Sequence, residues 1–476
     1  MARDLASPLL GRADRGATLG PGPCERGQKC SGSGRLGNPP AAVKSRAGRD
    51  RRRRAARLLT RVAALAAALP VAAPAATLRV GTSGDYAPFS TGRGAGARGF
   101  DLEVARAFAA ERGHDLEVVS FRWPELEAEL RAGRFDVAMS GITVRPERSV
   151  AGRFSIAVAE AGAVALVREP ALYASLDALD ESGVRIGVNE GGHLERAARA
   201  RFPRATLVAI PSNSAVERAL AQGLVDAVVS DTLEAPGWLE AAPGAEALGP
   251  FTRDRKAYLV RADRPELAAE IDAWILAREA DGTFAQLRAE HLGRGAPRTA
   301  TPLPALVAAI DERLALMPLV AGAKQRLGLP IEAPAREREV QERGVAATHD
   351  AARSAGSAPP PDETVRALFR ALVLAAKDVQ RAPRPLEPDD ASWDLDADLR
   401  PALLRIGDRI AWLAVRLPTG LRIAEAEVAL REGLRTPGVA EASRHAIAEA
   451  IAALATPPAP EPSEAPNPAD AAHATE

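Results

Sequence analysis

The feature that most constrains this chain is a change of pattern near residue 299. From Thr77 to Leu292, strand-length apolar runs alternate with stretches of helical period: TLRVGT, the helix Phe100 to Arg112, LEVVSF, the helix Trp123 to Ala132, then FDVAMS. A second set follows Ser155: AGAVALV, VRIGVN, the helix Leu194 to Arg201, TLVAI, the helix Ser214 to Gln222 and DAVVSD. KAYLV and the helix Pro265 to Asp281 resume the first set. Such alternation predicts parallel sheets flanked by helices, here as two α/β lobes with a cleft between them. From Leu303 to Leu454 the strand pattern stops, and only helices built of Ala, Leu, Arg and Glu are expected. The predicted class is therefore multidomain, a two-lobed α/β domain followed by an all-α domain.

The formal charge of zero conceals an asymmetry. Residues 1–76 hold 15 Lys/Arg against 4 Asp/Glu, which leaves 47 against 58 in the remainder. An acidic body argues against nucleic acid as a partner. Cys24 and Cys30 are the only cysteines, so disulfides and thiolate metal sites are excluded beyond residue 76. The basic run Arg51 to Arg57, the apolar stretch from Leu58 and the small residues Ala73, Ala75 and Ala76 read as a secretory signal. Export to a periplasm follows, with no membrane attachment after cleavage. The expected divisions are the leader 1–76, the α/β domain 77–295, a Pro/Gly/Thr linker 296–303 that tethers without a rigid channel, the helical domain 304–456 and a disordered Pro/Ala/Glu tail 457–476.

Within the α/β half, the stretch FDVAMSGITVRPERSVAGRFS stands out. An apolar strand runs into Ser140 and Gly141, and the following loop carries Thr143, Arg145 and Arg148 past the strand's carboxyl end, where open α/β sheets bind ligands. A guanidinium matches a carboxylate with two parallel hydrogen bonds, so Arg148 is read as an anion clamp, assisted by Thr143 and the Ser140 and Gly141 backbone. GTSGDYAPFS, GFDLEVARAFA, this stretch, IGVNEGG, VDAVVSDTLEA and KAYLV occur in that order over roughly 220 residues. Together they resemble the extracellular solute-binding proteins of the polar amino acid type, and more narrowly the periplasmic cyclohexadienyl (prephenate or arogenate) dehydratases built on that scaffold.

The resemblance implies site residues. Tyr86 and Trp123 stand where the family places its ring-contacting aromatics, Asn189 belongs to a matching turn, and Glu234 matches the catalytic glutamate. A carboxyl in an apolar cleft can stay protonated near neutral pH and serve as a general acid. Asp231 lies where amino-acid-binding relatives hold the ligand ammonium, so the same string also suits a receptor for a transporter.

In the helical half, one helix is expected from Leu303 to Arg326, with Arg313 and Lys324 on the same face as Leu306, Ile310, Met317 and Ala321. Eleven residues make about three turns, so the two cations align to within roughly 20°. Arg336 and Glu337 stand at the next helix start, Gln380 lies on an apolar stripe with Phe369, Val373 and Ala376, and Arg409 lies beside Ile406 and Leu413. Cations on core-facing stripes are costly unless an anion meets them. ERLALMPLVAGAK, LPIEAPARE and AAKDVQ resemble the all-helical chorismate mutases, in particular their exported subclass. The resemblance implies that Arg313, Arg336 and Arg409 grip the two carboxylates of chorismate. Lys324 and Gln380 would then meet the ether oxygen and Glu337 the hydroxyl.

A mutase makes prephenate and a dehydratase consumes it, so the joint expectation is an exported bifunctional enzyme of phenylalanine biosynthesis. It acts on chorismate and then on prephenate, with arogenate as the alternative, and uses neither metal nor cofactor. The competing expectation is an amino-acid or carboxylate receptor fused to a mutase domain. Association into a homo-oligomer is left open.

Overall fold

The computed structural model describes residues 76–293, 300–383 and 393–456. The signal segment, Cys24, Cys30 and the tail lie outside the described residues, as does the first half of the expected linker. In the first lobe the strands run in the order Asp115–Ser120, Thr77–Thr82, Val137–Ala138, Leu259–Arg261 and Gly152–Phe154. The first three are parallel, with Val80 opposite both Val118 and Val137. Leu78, Val80 and Val137 are buried beneath the helices Phe100–Arg112 and Pro265–Ala280. Gly99 opens the first of these helices at φ 121°, with the Phe89 carbonyl 2.6 Å from where a Cβ would stand, so only glycine fits. Gly113 ends it in the left-handed conformation and donates its N–H back to Ala109 and Ala110.

The second lobe has the order Thr206–Ile210, Arg185–Asn189, Ala227–Asp231, Ala163–Val167 and Glu246–Leu248. Its central strand is buried along its whole length, as a strand covered on both faces must be. The chain crosses between lobes twice, and the two crossings, Ala159–Ala161 and Asp254–Lys256, pair antiparallel with Lys256 opposite Ala159. The return strand then joins Val137–Ala138 antiparallel. KAYLV is thus two elements: Lys256 ends a crossing and Leu259 begins a strand of the first sheet.

The helical half comprises Pro302–Ala315, Met317–Arg326, Pro334–Ser354, Asp362–Arg381, Arg400–Ala414, Ile423–Gly433 and Glu441–Leu454. The helix expected to run unbroken to Arg326 is interrupted at Leu316, because Pro318 has no N–H to continue the ladder and its ring crowds the preceding turn. Gly344 lets the helix Pro334–Ser354 approach Asp362–Arg381 closely: a Cβ there would lie 2.3 Å from the Phe369 ring.

A loose tether is not what joins the halves. Ala300 is buried and the first helix begins at Pro302, inside the expected linker. The helical half packs on the first lobe and on both crossing strands through charged groups. Arg255 pairs with Asp311 at 2.5 Å, Arg435 pairs with Glu160, and Asp311 also accepts the Arg435 and Thr436 backbone N–H groups at 2.9 and 2.8 Å. Arg405 donates to the carbonyls of Ser149 and Val150 at 3.1 and 2.9 Å.

Arg409 belongs to this junction and not to the anion cage expected for it. It pairs with Glu312 at 3.0 Å and Asp272 at 3.3 Å, and donates to the Ser155 carbonyl at 2.7 Å. Its helix is covered on two sides. Arg400, Leu403, Leu404 and Gly407 line the helical pocket, whereas Arg405 and Arg409, one turn apart, face the first lobe.

Removing Arg409 leaves two buried carboxylates without their cation, so Arg409→Met is expected to cost roughly 3–5 kcal/mol in urea unfolding. Burial lifts the Asp272 carboxyl from 3.8 to about 6, against the pull of Arg409. An acid that holds its proton more tightly when folded makes stability fall as pH rises between those two values, and leaves it flat above them. Asp272→Asn is expected to remove about 1–3 kcal/mol of that fall when unfolding is compared at pH 4 and pH 7. An unchanged pH profile would contradict this.

Candidate active sites

The α/β cleft is shut by bonds between its lobes. The Tyr86 hydroxyl donates to Asp231, the Asn213 N–H donates to Asp85 at 3.3 Å, and Arg196 pairs with Glu147 at 2.9 Å. The remaining space, about 340 Å³, is walled by Tyr86, Trp123, Thr143, Arg148, Asn189 and Lys256, with Gly141, Gly192, His193, Leu194 and Asn213 completing it. Arg148 is 1% exposed; its Nε donates to Glu127 and its Nη1 to the Thr143 carbonyl, each at 3.1 Å. Its guanidinium lies 5.8 Å from the Trp123 ring centre. Burial lowers its pKa while Glu127 opposes that shift. Among the described residues the buried Trp123 Nε1 and Asn189 Oδ1 have no hydrogen-bond partner. Orphaned buried polar atoms on the wall of a cleft are what a polar ligand would satisfy.

One expected donor, the Gly141 N–H, is directed elsewhere. The Ser140 hydroxyl is fully buried in a network with the Ser83 N–H at 3.1 Å, the Ser83 hydroxyl at 2.9 Å and the Ser90 hydroxyl at 2.7 Å. The Gly141 N–H donates to Asp101 at 2.5 Å, and burial lifts that carboxyl to about 7. These groups shape the turn. Gly141 itself is required there at φ 60°, because a Cβ would strike the Tyr86 and Phe89 rings.

Glu234 is 3% exposed and accepts from the Ser230 hydroxyl at 2.9 Å. Desolvation, reinforced by the neighbouring Asp231 charge, raises its pKa well above the usual carboxyl range. It is not on the cleft wall but behind it, beside Asp231, whose Oδ1 accepts the Glu234 backbone N–H at 3.1 Å. Lys256, read in the sequence only as part of a strand, is the group that links the cleft. Its ammonium lies 3.1 Å from Asp231, 2.8 Å from the Tyr86 hydroxyl and 3.0 Å from the Thr143 hydroxyl. It had little prominence in the sequence, because Lys256 closes the charged run Arg253 to Lys256 ahead of the apolar AYLV.

In the helical half, a pocket of about 970 Å³ brings together Arg313, Lys324, Arg336, Glu337 and Gln380, with Met317, Val320, Phe369 and Val373 as apolar lining. Arg313 donates to the Leu403 carbonyl at 2.8 Å, and its buried Nε has no partner. Burial and the nearby Arg336 push its pKa down to about 10. The Lys324 ammonium donates to the Ile331 carbonyl at 2.8 Å; burial, then Arg400, lowers its pKa. Among the described residues no carboxylate pairs with either cation. Glu337 is held ionised by Lys377 at 2.7 Å and accepts the Ala333 N–H at 3.1 Å. The Gln380 amide donates to the Ala376 carbonyl at 3.2 Å, while its oxygen is buried without a partner. Arg343, Lys377 and Arg400 also line the pocket and were not anticipated. Arg400 stands on the face that Arg409 was expected to occupy.

Comparison with known proteins follows the same division. Residues 78–294 match the bacterial extracellular solute-binding proteins, family 3, and residues 304–381 match chorismate mutase type II. Over 221 residues the chain is 36% identical to the cyclohexadienyl dehydratase of Pseudomonas aeruginosa (strain PAO1), spanning 45% of this chain and 81% of that protein. Over 231 residues it is 27% identical to the putative ABC transporter arginine-binding protein 2 of Escherichia coli (strain K12), spanning 47% and 94% respectively. The crystal structure of the ancestral amino acid-binding protein AncCDT-1, a precursor of cyclohexadienyl dehydratase, is 31% identical, covers 45% of this chain and 95% of its own, and aligns with a TM-score of 0.43. The chain belongs to the bacterial extracellular solute-binding proteins of family 3 and carries a type II chorismate mutase domain after that scaffold.

Proposed function

We propose that the chain is a bifunctional enzyme of phenylalanine biosynthesis, converting chorismate to prephenate in the helical pocket and prephenate to phenylpyruvate in the α/β cleft. The observation that carries the second activity is Glu234, a carboxyl buried beside a cationic cleft, its pKa raised by desolvation and the Asp231 charge. A transport receptor has no use for a stored proton. The match to a cyclohexadienyl dehydratase and the mutase domain in the same chain support the pairing of consecutive steps.

In the helical pocket Arg313 and Arg336, with Arg400 in the place read for Arg409, would bind the carboxylates of chorismate. Lys324 and Gln380 would meet the ether oxygen as its C–O bond breaks and a C–C bond forms, and Glu337 would receive the hydroxyl. The rearrangement needs no proton transfer; it is accelerated by holding a compact conformer and by charge already in place. In the cleft, Arg148 would hold a carboxylate, Tyr86 and Trp123 would flank the ring, and Glu234 would protonate the departing hydroxyl. Water leaves with that proton, the ring carboxylate leaves as carbon dioxide, and its bonding electrons complete the aromatic ring. Because Glu234 stands behind Tyr86 and Lys256 in the shut cleft, substrate entry must part those side chains. Prephenate, or its amino counterpart arogenate, fits this reaction. We assign the enzyme to the periplasm on the family's extracellular character together with the signal segment read from the sequence; among the described residues no helix is long and apolar enough to cross a membrane.

Glu234→Gln is expected to lower phenylpyruvate formation from prephenate by ~10²–10⁴-fold and to spare chorismate consumption. Lys324→Ala is expected to do the reverse, with a loss of about 10²–10³-fold in the mutase step. Equal loss of both activities in either variant would contradict two separate sites. Arg313 is a buried cation without a carboxylate, so Arg313→Met should slow the mutase while raising stability to urea by roughly 1 kcal/mol. A loss of stability would show that the Leu403 bond outweighs the desolvation.

A further inference from the structure

At the junction a further cavity, of about 770 Å³, opens between the helix Arg400–Ala414 and the first lobe. Arg405, Asp408 and Trp412 line it from the helix, and Arg153 and Phe154 from the edge strand Gly152–Phe154. It shares no lining residue with the α/β cleft and only Asp408 with the helical pocket. The carboxylates deepest in it, Asp272 and Glu312, already have a partner at each oxygen. Asp272 meets the Ile156 N–H at 2.6 Å and Arg409 at 3.3 Å, while Glu312 meets the Ser149 hydroxyl at 2.8 Å and Arg409 at 3.0 Å. Two cations are left over. The Arg153 Nε donates to the Ala262 carbonyl at 2.9 Å, Arg405 donates to the Ser149 and Val150 carbonyls, and the buried Arg405 Nε has no partner. Among the described residues neither guanidinium pairs with a carboxylate within 4 Å. Burial, then the Arg153 charge, pushes the Arg405 pKa down to about 10, so the two repel one another at the cavity.

We propose that this junction cavity is an effector site for a small aromatic monocarboxylate, its carboxylate held by Arg153 and Arg405 and its ring by Trp412 and Ile406, and that its occupation weakens chorismate binding in the helical pocket. Paired guanidiniums beside an apolar wall suit a ligand with one anionic end and one apolar body. The coupling runs through Asp408. Its carboxylate acts on Arg153 from one side and pairs with Arg343 at 3.3 Å on the other, and Arg343 lines the helical pocket. A ligand that draws Arg153 away leaves Asp408 to hold Arg343 more strongly, which withdraws a cation from the dianion in that pocket. By linkage, chorismate weakens the effector by the same factor. The site stands whether or not the α/β cleft dehydrates prephenate; phenylpyruvate, the product proposed there, belongs to the class it would take.

The test uses 3-phenylpropanoate, an aromatic monocarboxylate that neither proposed reaction makes or consumes. Its binding to the full chain is followed by calorimetry, and the KM and kcat for chorismate are measured with and without it. Two variants carry the comparison: Arg153→Met removes one cation, and Ala269→Trp fills the cavity from an exposed lining position with every charge in place. The wild type is expected to bind the probe and to show KM raised by roughly 5-fold or more at unchanged kcat. Both variants should lose roughly 10–100-fold in probe affinity and with it the KM response, while an unchanged kcat reports that they are folded. Without probe, Ala269→Trp should keep the wild-type KM and Arg153→Met should already show the raised one. No binding to the wild type would overturn the proposal. So would binding and a KM response that persist in both variants, since the probe would then sit in the helical pocket itself. Binding that leaves KM unmoved, or a wild-type KM in Arg153→Met, would overturn the effector role.

Discussion

An ionised side chain taken out of water costs several kcal/mol unless an opposite charge meets it, and how each buried charge is met sorts the parts of this molecule. At the junction Arg409 meets Glu312 and Asp272 and Arg255 meets Asp311, while Arg405 meets two backbone carbonyls. In the α/β cleft the matching is internal, since Lys256 meets Asp231, while desolvation raises the pKa of Glu234. In the helical pocket Arg313 and Lys324 have, among the described residues, only carbonyl partners. Ion pairs with carboxylates carry the junction, and cations held by carbonyls around an open pocket are what a small dianion would meet.

The two catalytic problems need different solutions, and the two folds supply them. A pericyclic rearrangement needs a rigid enclosure with charge fixed in advance, and helices packed as closely as Gly344 against Phe369 provide rigidity. Acid-assisted loss of water needs a proton kept from solvent until the substrate arrives. A cleft closed by Tyr86 and Asp231 across two lobes provides that protection. Because the mutase half grips the crossing strands through Arg255 and Glu160, the lobes and the mutase share one mechanical frame.

Much of this was legible in the residues. Strand and helix periods placed Thr77–Thr82, Phe100–Arg112 and Arg185–Asn189 within a residue of where they stand, because local pattern determines local elements. Arg313, Lys324, Arg336, Glu337 and Gln380 converge as their shared stripes implied. The helix break at Pro318 has a local cause, and the other failures involve distant partners. Arg400 and Arg409 are nine residues apart and so on nearly opposite sides of one helix; both sides are apolar, and only the neighbouring domain decides which side is the pocket. The Gly141 N–H was consumed by Asp101, forty residues away in sequence. Lys256 was hidden because its counter-ion comes from the other lobe.

The most direct measurement supplies the purified chain with chorismate alone and follows prephenate and phenylpyruvate in time. Two sites in one chain predict that prephenate appears first and is then consumed as phenylpyruvate accumulates. Chorismate consumption that stops at prephenate would contradict the account, leaving a mutase joined to a cleft that only binds.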